Sequence, residues 1–188
     1  MPISDYVRRL RTKIDNDLLL VPTVGVLTFD ASQRVLLIRP ADSGLWAAPG
    51  GIVQPYETPA DAAVRSMWEQ TGLSVELQRI IGVFGGMECS ATYANGDQES
   101  FTVTAFAARA RDAATGPGTG PGSGPGTGTG PGPGGAGSAA LTQRYFSARD
   151  AADLPCYPHT AEILQVAFAG GSAYFRPPRW QPPAPARP

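Results

Sequence analysis

The chain has 188 residues, 42% of them hydrophobic, and it is rich in glycine (23) and proline (19). This length suits one domain, since most domains contain roughly 100–200 residues. The formal net charge of −1 leaves no excess of basic side chains, which proteins need in order to bind nucleic acid or an anionic lipid surface. We therefore predict a single globular domain whose partners include neither nucleic acid nor a membrane.

Cysteine usage and the N-terminal sequence predict a cytoplasmic protein. Cys89 and Cys156 are far apart and belong to no CxxC pair, which argues against a zinc site. Both thiols are expected to be reduced, and the sequence leaves a disulfide between them open. No apolar signal-peptide region follows the basic N-terminal residues, and the apolar run from Leu18 to Leu27 is too short to span a bilayer.

The first predicted element is a short helix that Ser4 can cap and that ends near Lys13. Tyr6 and Leu10 fall on one side of this helix, and that side is its predicted buried face. The helix forms an N-terminal segment, residues 1–17, ahead of the main domain.

Two strands are predicted after this helix. Leu18 to Phe29 is rich in β-branched and apolar residues, and Arg34 to Arg39 is apolar between its two arginines. The residues between them, 30–33, are mostly polar and suit a turn. The pattern predicts a β-hairpin in which these two strands pair.

The most informative stretch of the sequence runs from Gly50 to Leu73. It begins with two glycines, which suit a tight turn, and continues to Thr58, a good helix N-cap. Pro59 suits the first position of a helix, and Gly72 suits the residue that ends one. We predict a helix from Ala60 to Thr71.

The predicted helix has two faces of different character. At about 100° per residue, its predicted buried stripe contains Ala60, Val64, Met67 and Thr71. A second face is polar and contains Ser66, Glu69 and Gln70, with Arg65 at its edge. The turn and the helix together are expected to bring a polar surface to the pair of glycines.

This stretch resembles the Nudix box, Gly-x5-Glu-x7-Arg-Glu-U-x-Glu-Glu-x-Gly-U, in which U is a bulky apolar residue. The positions that match in register are Gly51, Glu57, Arg65, Met67, Glu69, Gly72 and Leu73. The preceding residues 45–51, LWAAPGG, are also similar to the usual lead-in of the family. The chain departs from the box at Ser66, which replaces the glutamate after the arginine, and at Gln70, which replaces the second glutamate of the pair.

More strands are predicted beyond the box. Residues 74–84 predict a bent strand or a strand pair, with a break at Gly82. Residues 91–108 predict a hairpin that turns at Asn95-Gly96-Asp97, because Asn-Gly is the strongest short hairpin signal. Residues 141–146 predict a further strand.

The C-terminal third contains a low-complexity segment, two short helices and a tail. Residues 113–138 are almost wholly Gly, Pro, Thr and Ser without the three-residue period of collagen, which predicts a disordered insertion. Ser147 begins a helical turn, and residues 161–168 suit an amphipathic helix. Residues 18–175 are expected to form one domain around the insertion, followed by a frayed proline-rich tail, residues 176–188.

The resemblance implies an α/β/α Nudix sandwich around a mixed β-sheet, and the mixture of strands with a few helices agrees with it. Family members hydrolyse nucleoside diphosphates linked to another group, with Mg²⁺ or Mn²⁺ held by the glutamates of the box. A diphosphate is strongly anionic, so attack by water requires cations that neutralise the developing charge. By family analogy, Arg65 orients the box glutamates through an ion pair.

The resemblance also assigns metal ligands, and here the chain is short of acids. Glu57 and Glu69 are the expected catalytic carboxylates and metal ligands, with Gln70 as a neutral ligand. Neutral residues also occupy positions where relatives often carry an acid, namely Gln54, Ser66 and Thr142. Because neutral oxygens bind a hard dication more weakly than carboxylates do, weak metal binding and reduced turnover are expected.

Two functions stay open from the sequence. In the first, the protein is a hydrolase that cleaves the diphosphate linkage of a nucleoside diphosphate derivative, and Glu88, Asp97 or Glu99 completes the metal site. In the second, it is an inactive module that keeps the nucleotide-shaped cleft for binding or regulation. A homodimer is also open, since relatives are often dimers.

Substrate-binding residues are expected in the segments that lead into the box. Gly50 and Gly51 shape the cleft, Arg39 can meet a phosphate, and Trp46 can stack on a base. Further aromatic candidates for stacking are Phe84, Tyr93 and Phe101, although aromatic residues of strands belong more often to the core. His159 precedes a helix and is expected to be a surface or capping residue and not a base.

Overall fold

The computed structural model describes residues 4–41, 44–111, 128–129 and 141–178. The helices in these ranges are α1 (Asp5–Ile14), α2 (Pro59–Thr71), α3 (Ala148–Ala152) and α4 (Pro158–Ala169). The strands are β1 (Leu19–Thr28), β2 (Val35–Pro40), β3 (Gly50–Ile52), β4 (Val75–Phe84), β5 (Ser90–Thr92), β6 (Gln98–Ala110), β7 (Gly128–Thr129), β8 (Leu141–Phe146) and β9 (Tyr174–Phe175). A 3₁₀ turn, Met87–Cys89, lies between β4 and β5.

The strands form two sheets. In the larger sheet the order is β3-β1-β6-β4-β9, and β5 also pairs with β6. Strands β1 and β6 run parallel, whereas β3 is antiparallel to β1 and β4 is antiparallel to β6. The smaller sheet is antiparallel, in the order β2-β8-β7. The predicted mixed β-sheet is therefore present.

Helices α2 and α4 lie on opposite sides of the larger sheet. Val26 of β1 belongs to a buried cluster with Met67 of α2, whereas the next residue, Leu27, belongs to a cluster with Ile163 of α4. Neighbouring residues of a strand point to opposite faces, so the two helices cover the two faces. This arrangement confirms the predicted α/β sandwich.

Strands β1 and β2 diverge after the turn that joins them. The Asp30 carboxylate accepts hydrogen bonds from the backbone N–H groups of Ser32 and Arg34 at 2.9 and 2.8 Å, and one bridge joins Phe29 to Val35. Beyond this point β1 pairs with β6, while β2 pairs with β8. The turn was predicted correctly, but the paired hairpin was wrong, because the partners of both strands come from distant parts of the chain.

The next predicted strands are confirmed with small changes. Strand β4 is one bent strand that continues through Gly82, with irregular pairing between Ile80 and Gly82. Strands β5 and β6 form the predicted hairpin, in which Thr92 pairs with Gln98. Helix α4 begins at Pro158, ahead of the predicted start, because proline suits the first turn of a helix.

The buried faces of α1 and α2 agree only in part with the predicted ones, which included Met67 and Thr71 correctly. Ser4 caps α1 as predicted, but the fully buried residue of that helix is Val7, and Tyr6 is exposed. In α2 the buried residues are Ala62, Ala63, Ser66, Met67 and Thr71, whereas Ala60 and Val64 are exposed. The two adjacent alanines allow the helix to approach the sheet closely, so α2 is turned toward the side that contains Ser66.

An unpredicted strand, β9, holds the C-terminal part of the domain against β4. A Cβ atom at Gly82 would lie 2.6 Å from the carbonyl oxygen of Tyr174, so this contact depends on glycine. Arg176, the first residue of the predicted frayed tail, forms ion pairs with Glu88 at 3.1 Å and with Glu162 at 2.8 Å. The prediction of a frayed end was therefore wrong for Arg176.

Several sequence predictions concern residues that the structure does not describe. The insertion, residues 113–138, lies outside the described residues except at positions 128–129, and so does the tail from residue 179 onward. The predicted domain boundaries stay predictions. Both cysteines are free, with Cys89 buried and Cys156 half-buried. None of the helices described above is long and apolar enough to cross a membrane.

Candidate functional site

Helix α2 begins and ends where its sequence predicts. The Thr58 hydroxyl accepts a hydrogen bond from the Asp61 backbone N–H at 3.1 Å, and Pro59 occupies the first turn. At the other end Gly72 adopts the left-handed conformation (φ 71°), and its N–H donates to the Trp68 carbonyl at 2.9 Å. These caps set the position of every side chain that the helix presents.

A tight turn folds Glu57 back toward α2. The backbone N–H of Glu57 donates to the carbonyl of Gln54 at 3.0 Å, and the Glu57 carboxylate accepts from the Gln54 N–H at 2.9 Å. Pro55 and Tyr56 form the corner of this turn. The Glu57 side chain is thereby placed over the helix at Arg65.

The Arg65 guanidinium joins the carboxylates of Glu57 and Glu69. Its Nε and Nη2 atoms donate to the two oxygens of Glu57 at 2.7 and 2.8 Å, and Nη1 donates to Glu69 Oε2 at 3.1 Å. Nη2 also donates to the carbonyl of Ile52 at 3.0 Å. This planar fork orients both carboxylates.

The same contacts shift the pKa values of the pair. The Arg65 guanidinium, with a smaller contribution from the Gln54 N–H, lowers the pKa of Glu57 against the opposing effect of burial. The hydrogen bond to Glu57 raises the pKa of Arg65. Both groups therefore stay ionised at neutral pH.

Glu57 and Glu69 differ in the solvent exposure of their side chains. The side chain of Glu57 is 15% exposed, and both of its oxygens accept hydrogen bonds. The side chain of Glu69 is 51% exposed, and the ion pair with Arg65 engages its Oε2 atom. Glu69 is thus the carboxylate of this pair that can reach a ligand.

Gln70 binds the glycine turn instead of facing a ligand. Its Nε2 donates to the Gly50 carbonyl at 2.6 Å, and its Oε1 accepts from the Gly50 N–H at 3.0 Å. A Cβ atom at Gly50 would overlap the carbonyl oxygen of Val24. The Gly50 backbone thus engages both ends of the Gln70 amide in this structure, and the metal role of Gln70 stays a prediction.

Ser66 lies on the buried side of the helix. It is 1% exposed, and its hydroxyl has no hydrogen-bond partner among the described residues. A Cβ atom at Gly51 would lie 2.9 Å from Ser66 Oγ. The predicted place of Ser66 on the polar face was therefore wrong, and its small side chain allows the glycine turn to pack against α2.

The further acids considered for a metal site lie elsewhere. Glu88 pairs with Arg176, while Asp97 and Glu99 pair with Arg11 at 3.6 and 3.5 Å. Within the described ranges, no three or more His, Cys, Asp and Glu side chains gather closely enough to hold a metal ion. The prediction that one of these acids completes a metal site with Glu57 and Glu69 is wrong for the described residues.

Arg39 and Trp46 contact each other in the smaller-sheet region. Trp46 is buried and packs edge-on against Phe146, with ring centroids 4.7 Å apart. The Arg39 guanidinium lies over the Trp46 ring at 5.0 Å. Base stacking by Trp46 is therefore corrected to a core role, whereas Arg39 is exposed and its phosphate role stays a prediction.

The other aromatic candidates mostly have structural contacts. Phe84 is buried and stacks on Tyr174, and Phe101 is half-buried against the same core. The Tyr93 hydroxyl donates to Glu99 Oε2 at 3.0 Å. None of these contacts brings the three residues to Glu69.

His159 also differs from its prediction. It lies inside the first turn of α4 and is half-buried, and the N-cap position belongs to Tyr157. Its ring stacks on the Tyr157 ring at 5.8 Å, and burial lowers the pKa of the imidazole. His159 therefore packs inside this turn and does not cap the helix.

The structure adds a groove that the sequence did not indicate. It encloses about 230 Å³ between α1, β1 and the loop before Glu57. Its lining is mostly apolar and includes Tyr6, Leu10, Leu20, Ile52 and Pro55, with Gln54 as a polar member. The alternating pattern of β1 could not reveal this groove, because α1 is docked there by tertiary contacts.

A family model described as the NUDIX domain matches residues 19–121, which is more than half of the chain. The chain belongs to the Nudix family. The match includes the glycine turn, Glu57 and all of α2, so the contacts described above are those of the Nudix box.

Curated relatives support this assignment over the central part of the chain. The Nudix chain is 45% identical over 64 residues to a MutT-like protein of Streptomyces ambofaciens, which covers 34% of this chain and 41% of that protein. It is 42% identical over 59 residues to a putative 8-oxo-dGTP diphosphatase of Bacillus subtilis (strain 168), covering 31% and 40% respectively. The matched part thus spans about two fifths of the length of these relatives.

Solved structures show the same Nudix fold at low identity. An ADP-ribose pyrophosphatase from Streptococcus suis 89-1591 matches with a TM-score of 0.53 and 18% identity, covering 82% of this chain and 96% of that one. A MutT protein from Methanosarcina mazei Go1 matches with a TM-score of 0.53 and 15% identity, covering 79% and 93%. These likenesses confirm the architecture.

Proposed function

We propose that this Nudix protein hydrolyses the diphosphate linkage of a nucleoside diphosphate derivative with low activity. The observation that carries the proposal is the Arg65 fork, which orients Glu57 and leaves Glu69 half-exposed. Two of its relatives, a MutT-like protein and a putative 8-oxo-dGTP diphosphatase, support a nucleotide substrate. We also propose a cytoplasmic location and keep a homodimer open.

The carboxylate oxygens of Glu57 and Glu69 suit a divalent cation that binds together with the nucleotide. They do not suit a cation that binds before the nucleotide arrives. Glu69 offers an open carboxylate, whereas the oxygens of Glu57 are engaged by Arg65. Mg²⁺ commonly keeps several waters and is bound by one or two carboxylates together with substrate phosphates. Mg²⁺ or Mn²⁺, when bound, would neutralise phosphate charge, with Glu69 as its proposed protein ligand.

The residues around Glu69 have positioning roles in this proposal. Arg65 holds the Glu69 carboxylate from one side while Glu57 fixes the plane of the guanidinium. Gln70 ties the Gly50 peptide to α2 through two hydrogen bonds, which holds the glycine turn in place. Arg39 is the proposed cation for a distal phosphate.

One observation favours a second function, a catalytically inactive nucleotide-binding or regulatory module. No three-acid group is present in the described parts of the chain, and the amide of Gln70 is used by the backbone. A site with one open carboxylate can still bind a metal–nucleotide complex without turning it over. Hydrolysis assays separate the two functions.

The deciding experiment is a screen of nucleoside diphosphate derivatives with Mg²⁺ or Mn²⁺. We expect metal-dependent release of phosphate or a nucleoside monophosphate, reduced at least about tenfold in Glu69→Gln, since a charged partner of the metal is lost. Glu76→Gln, on an exposed position of β4, is the matched control. Binding without turnover would favour the inactive module, and absence of both would reject both functions.

Gln70→Glu tests whether the box can regain a metal ligand. A carboxylate cannot donate to the Gly50 carbonyl, so one hydrogen bond is lost, at a cost of about 1 kcal/mol in unfolding free energy. We expect Mg²⁺ to raise the melting temperature of the variant more than that of the wild type, because binding stabilises the folded state. An equal response to Mg²⁺ in both proteins would contradict a metal site at this position.

A further inference from the structure

Tyr56 occupies a turn position that normally requires glycine. The hydrogen bond from the Glu57 N–H to the Gln54 carbonyl, 3.0 Å, closes a four-residue turn with Pro55 at its second position. Tyr56, the third residue, has a positive φ of 67°. Turns with proline second and positive φ third favour glycine or asparagine there, because a side chain is strained in that conformation.

The ring of Tyr56 makes no contact that would offset this strain. Its exposure is 108%, higher than that of an ordinary exposed side chain, and no hydrogen bond, ion pair or ring contact joins it to another described residue. Strained backbone of this kind clusters at functional sites. The other non-glycine residues with positive φ among the described residues, Asp15 and Gln33, lie at the end of α1 and in the β1–β2 turn, away from the box. The strained and exposed position of Tyr56 is therefore best explained by a ligand that contacts its ring.

The position of Tyr56 beside Glu57 indicates which ligand its ring could contact. Tyr56 directly precedes Glu57 and directly follows Pro55, which lines the apolar groove beside α1. The turn that carries the ring is the one that places Glu57 on Arg65. Because Arg65 joins Glu57 to Glu69, a ligand whose phosphates lie near Glu69 can extend toward the exposed ring on the loop that carries Glu57.

We propose that Tyr56 is a specificity-determining residue that stacks on the base of the nucleotide, an inference that rests on the proposed nucleotide-binding function. Stacking on an aromatic side chain tolerates any base, because every base has a π face. The site therefore selects nucleoside diphosphates over diphosphates that lack a base, and it discriminates weakly between purines and pyrimidines.

Trp68 is the competing stacking residue. It precedes Glu69 on α2 and is half-exposed. Its backbone is helical and unstrained, so its presence needs no ligand to explain it. Including Trp68→Leu in the experiment decides between the two rings.

The test uses the full chain and two kinds of probe, ADP and UDP with a base and inorganic pyrophosphate without one, each with Mg²⁺. Tyr56→Asn removes the ring and keeps a residue that tolerates positive φ. Tyr56→Phe keeps the ring. Gln33→Gly is the matched control, since Gln33 also has a positive φ of 57° but lies in the exposed β1–β2 turn.

We expect Tyr56→Asn to weaken ADP and UDP binding about 5- to 50-fold by calorimetry, in line with the loss of one stacking contact, and to leave pyrophosphate binding within about twofold. Tyr56→Phe and Gln33→Gly should bind all probes like the wild type. The melting temperature of Tyr56→Asn should be unchanged or higher by roughly 1–3 °C, because strain is relieved.

Other outcomes overturn the inference. These are unchanged ADP binding by Tyr56→Asn, equal loss of ADP and pyrophosphate, a lower melting temperature that reveals a structural role, or loss of ADP binding with Trp68→Leu alone. A wild type that binds neither ADP nor UDP also overturns it. A wild type that binds ADP through Tyr56 but hydrolyses no nucleotide rejects the proposed hydrolysis and keeps the stacking residue.

Discussion

Two arginines of this protein each bind two carboxylates and at least one backbone carbonyl, yet their clusters differ in exposure. Arg11 pairs with Asp97 and Glu99, and the three side chains are 11%, 14% and 9% exposed. Arg65 pairs with Glu57 and Glu69, and there the exposed fraction rises to 32% for the arginine and 51% for Glu69. The first cluster is closed to solvent, whereas the second opens on one side.

The Arg11 cluster joins three parts of the chain. Arg11 donates to the carbonyls of Asp17 and Gln98 at 2.7 and 2.8 Å, which ties the end of α1 to the start of β6. The Tyr93 hydroxyl donates to Glu99, and burial together with that carboxylate raises the pKa of Tyr93. Both carboxylates face Arg11 and are nearly closed to solvent, which leaves them little surface for a ligand, although Arg11 Nε is itself buried without a hydrogen bond among the described residues.

The comparison shows that charge content alone does not identify a site. Asp97 and Glu99 were candidates for a metal site because they are acids, and their burial against Arg11 rules them out. Glu69 has the same chemistry but keeps half of its surface open. The variants below should separate a closed ion-pair cluster from an open one.

The largest expected effect is on stability, from Arg11→Met. Removing the cation leaves two buried carboxylates unpaired, and breaking a buried pair in this way costs about 3–5 kcal/mol of unfolding free energy. Urea denaturation measures the loss, and nucleotide affinity per folded molecule should not change. Adding Asp97→Asn and Glu99→Gln should recover part of the stability, and a loss below about 1 kcal/mol for Arg11→Met would contradict the closed cluster.

Arg65→Met should affect function more than stability. Loss of the fork releases both Glu57 and Glu69, and misplacing a catalytic group by about 1 Å can cost on the order of 100-fold in rate. The unfolding free energy should fall less than in Arg11→Met, because the Arg65 cluster is partly solvated. Hydrolysis kinetics and denaturation of the same preparations test this, and unchanged kinetics would show that the open cluster is only structural.

The smallest effect concerns pH. The pKa of Glu57 is lowered in the folded state, so its ion pair stabilises the protein above the unfolded value of about 4.3 and is lost as pH falls through the folded value. Glu57→Gln should therefore show a shallower loss of unfolding free energy than the wild type below about pH 4.3. Coincident slopes in denaturation series from pH 3 to 7 would contradict the lowered pKa.

Much of the box could be predicted because its signals are local. Thr58, Pro59 and Gly72 determine where α2 begins and ends, and each acts through its own backbone or first-turn contacts. Arg65 and Glu69 are four residues apart on α2, so the helix brings them together, whereas the ion pair of Arg65 with Glu57 was implied by the family resemblance. The caps and the contact between Arg65 and Glu69 therefore follow from local sequence.

The rotation of α2 was not predictable from the same pattern. The sequence pattern placed Ser66 and Gln70 on a polar face. In the structure Ala62 and Ala63 pack closely against the sheet, and in this orientation of α2 Ser66 and Gln70 face the glycine turn. A helical stripe identifies a set of candidate faces. Which one is buried depends on the shape of the partner surface.

The sequence by itself determined the box, the helix caps and most strands, since these follow from propensities and hydrogen bonds between near neighbours. Only the tertiary structure decided that β2 pairs with β8, that Asp97 and Glu99 are closed off by Arg11, and that Gln70 binds Gly50. These contacts join distant segments of the chain, and they form because this packing has a lower free energy than the alternatives. No local sequence pattern reports the relative free energies of alternative packings.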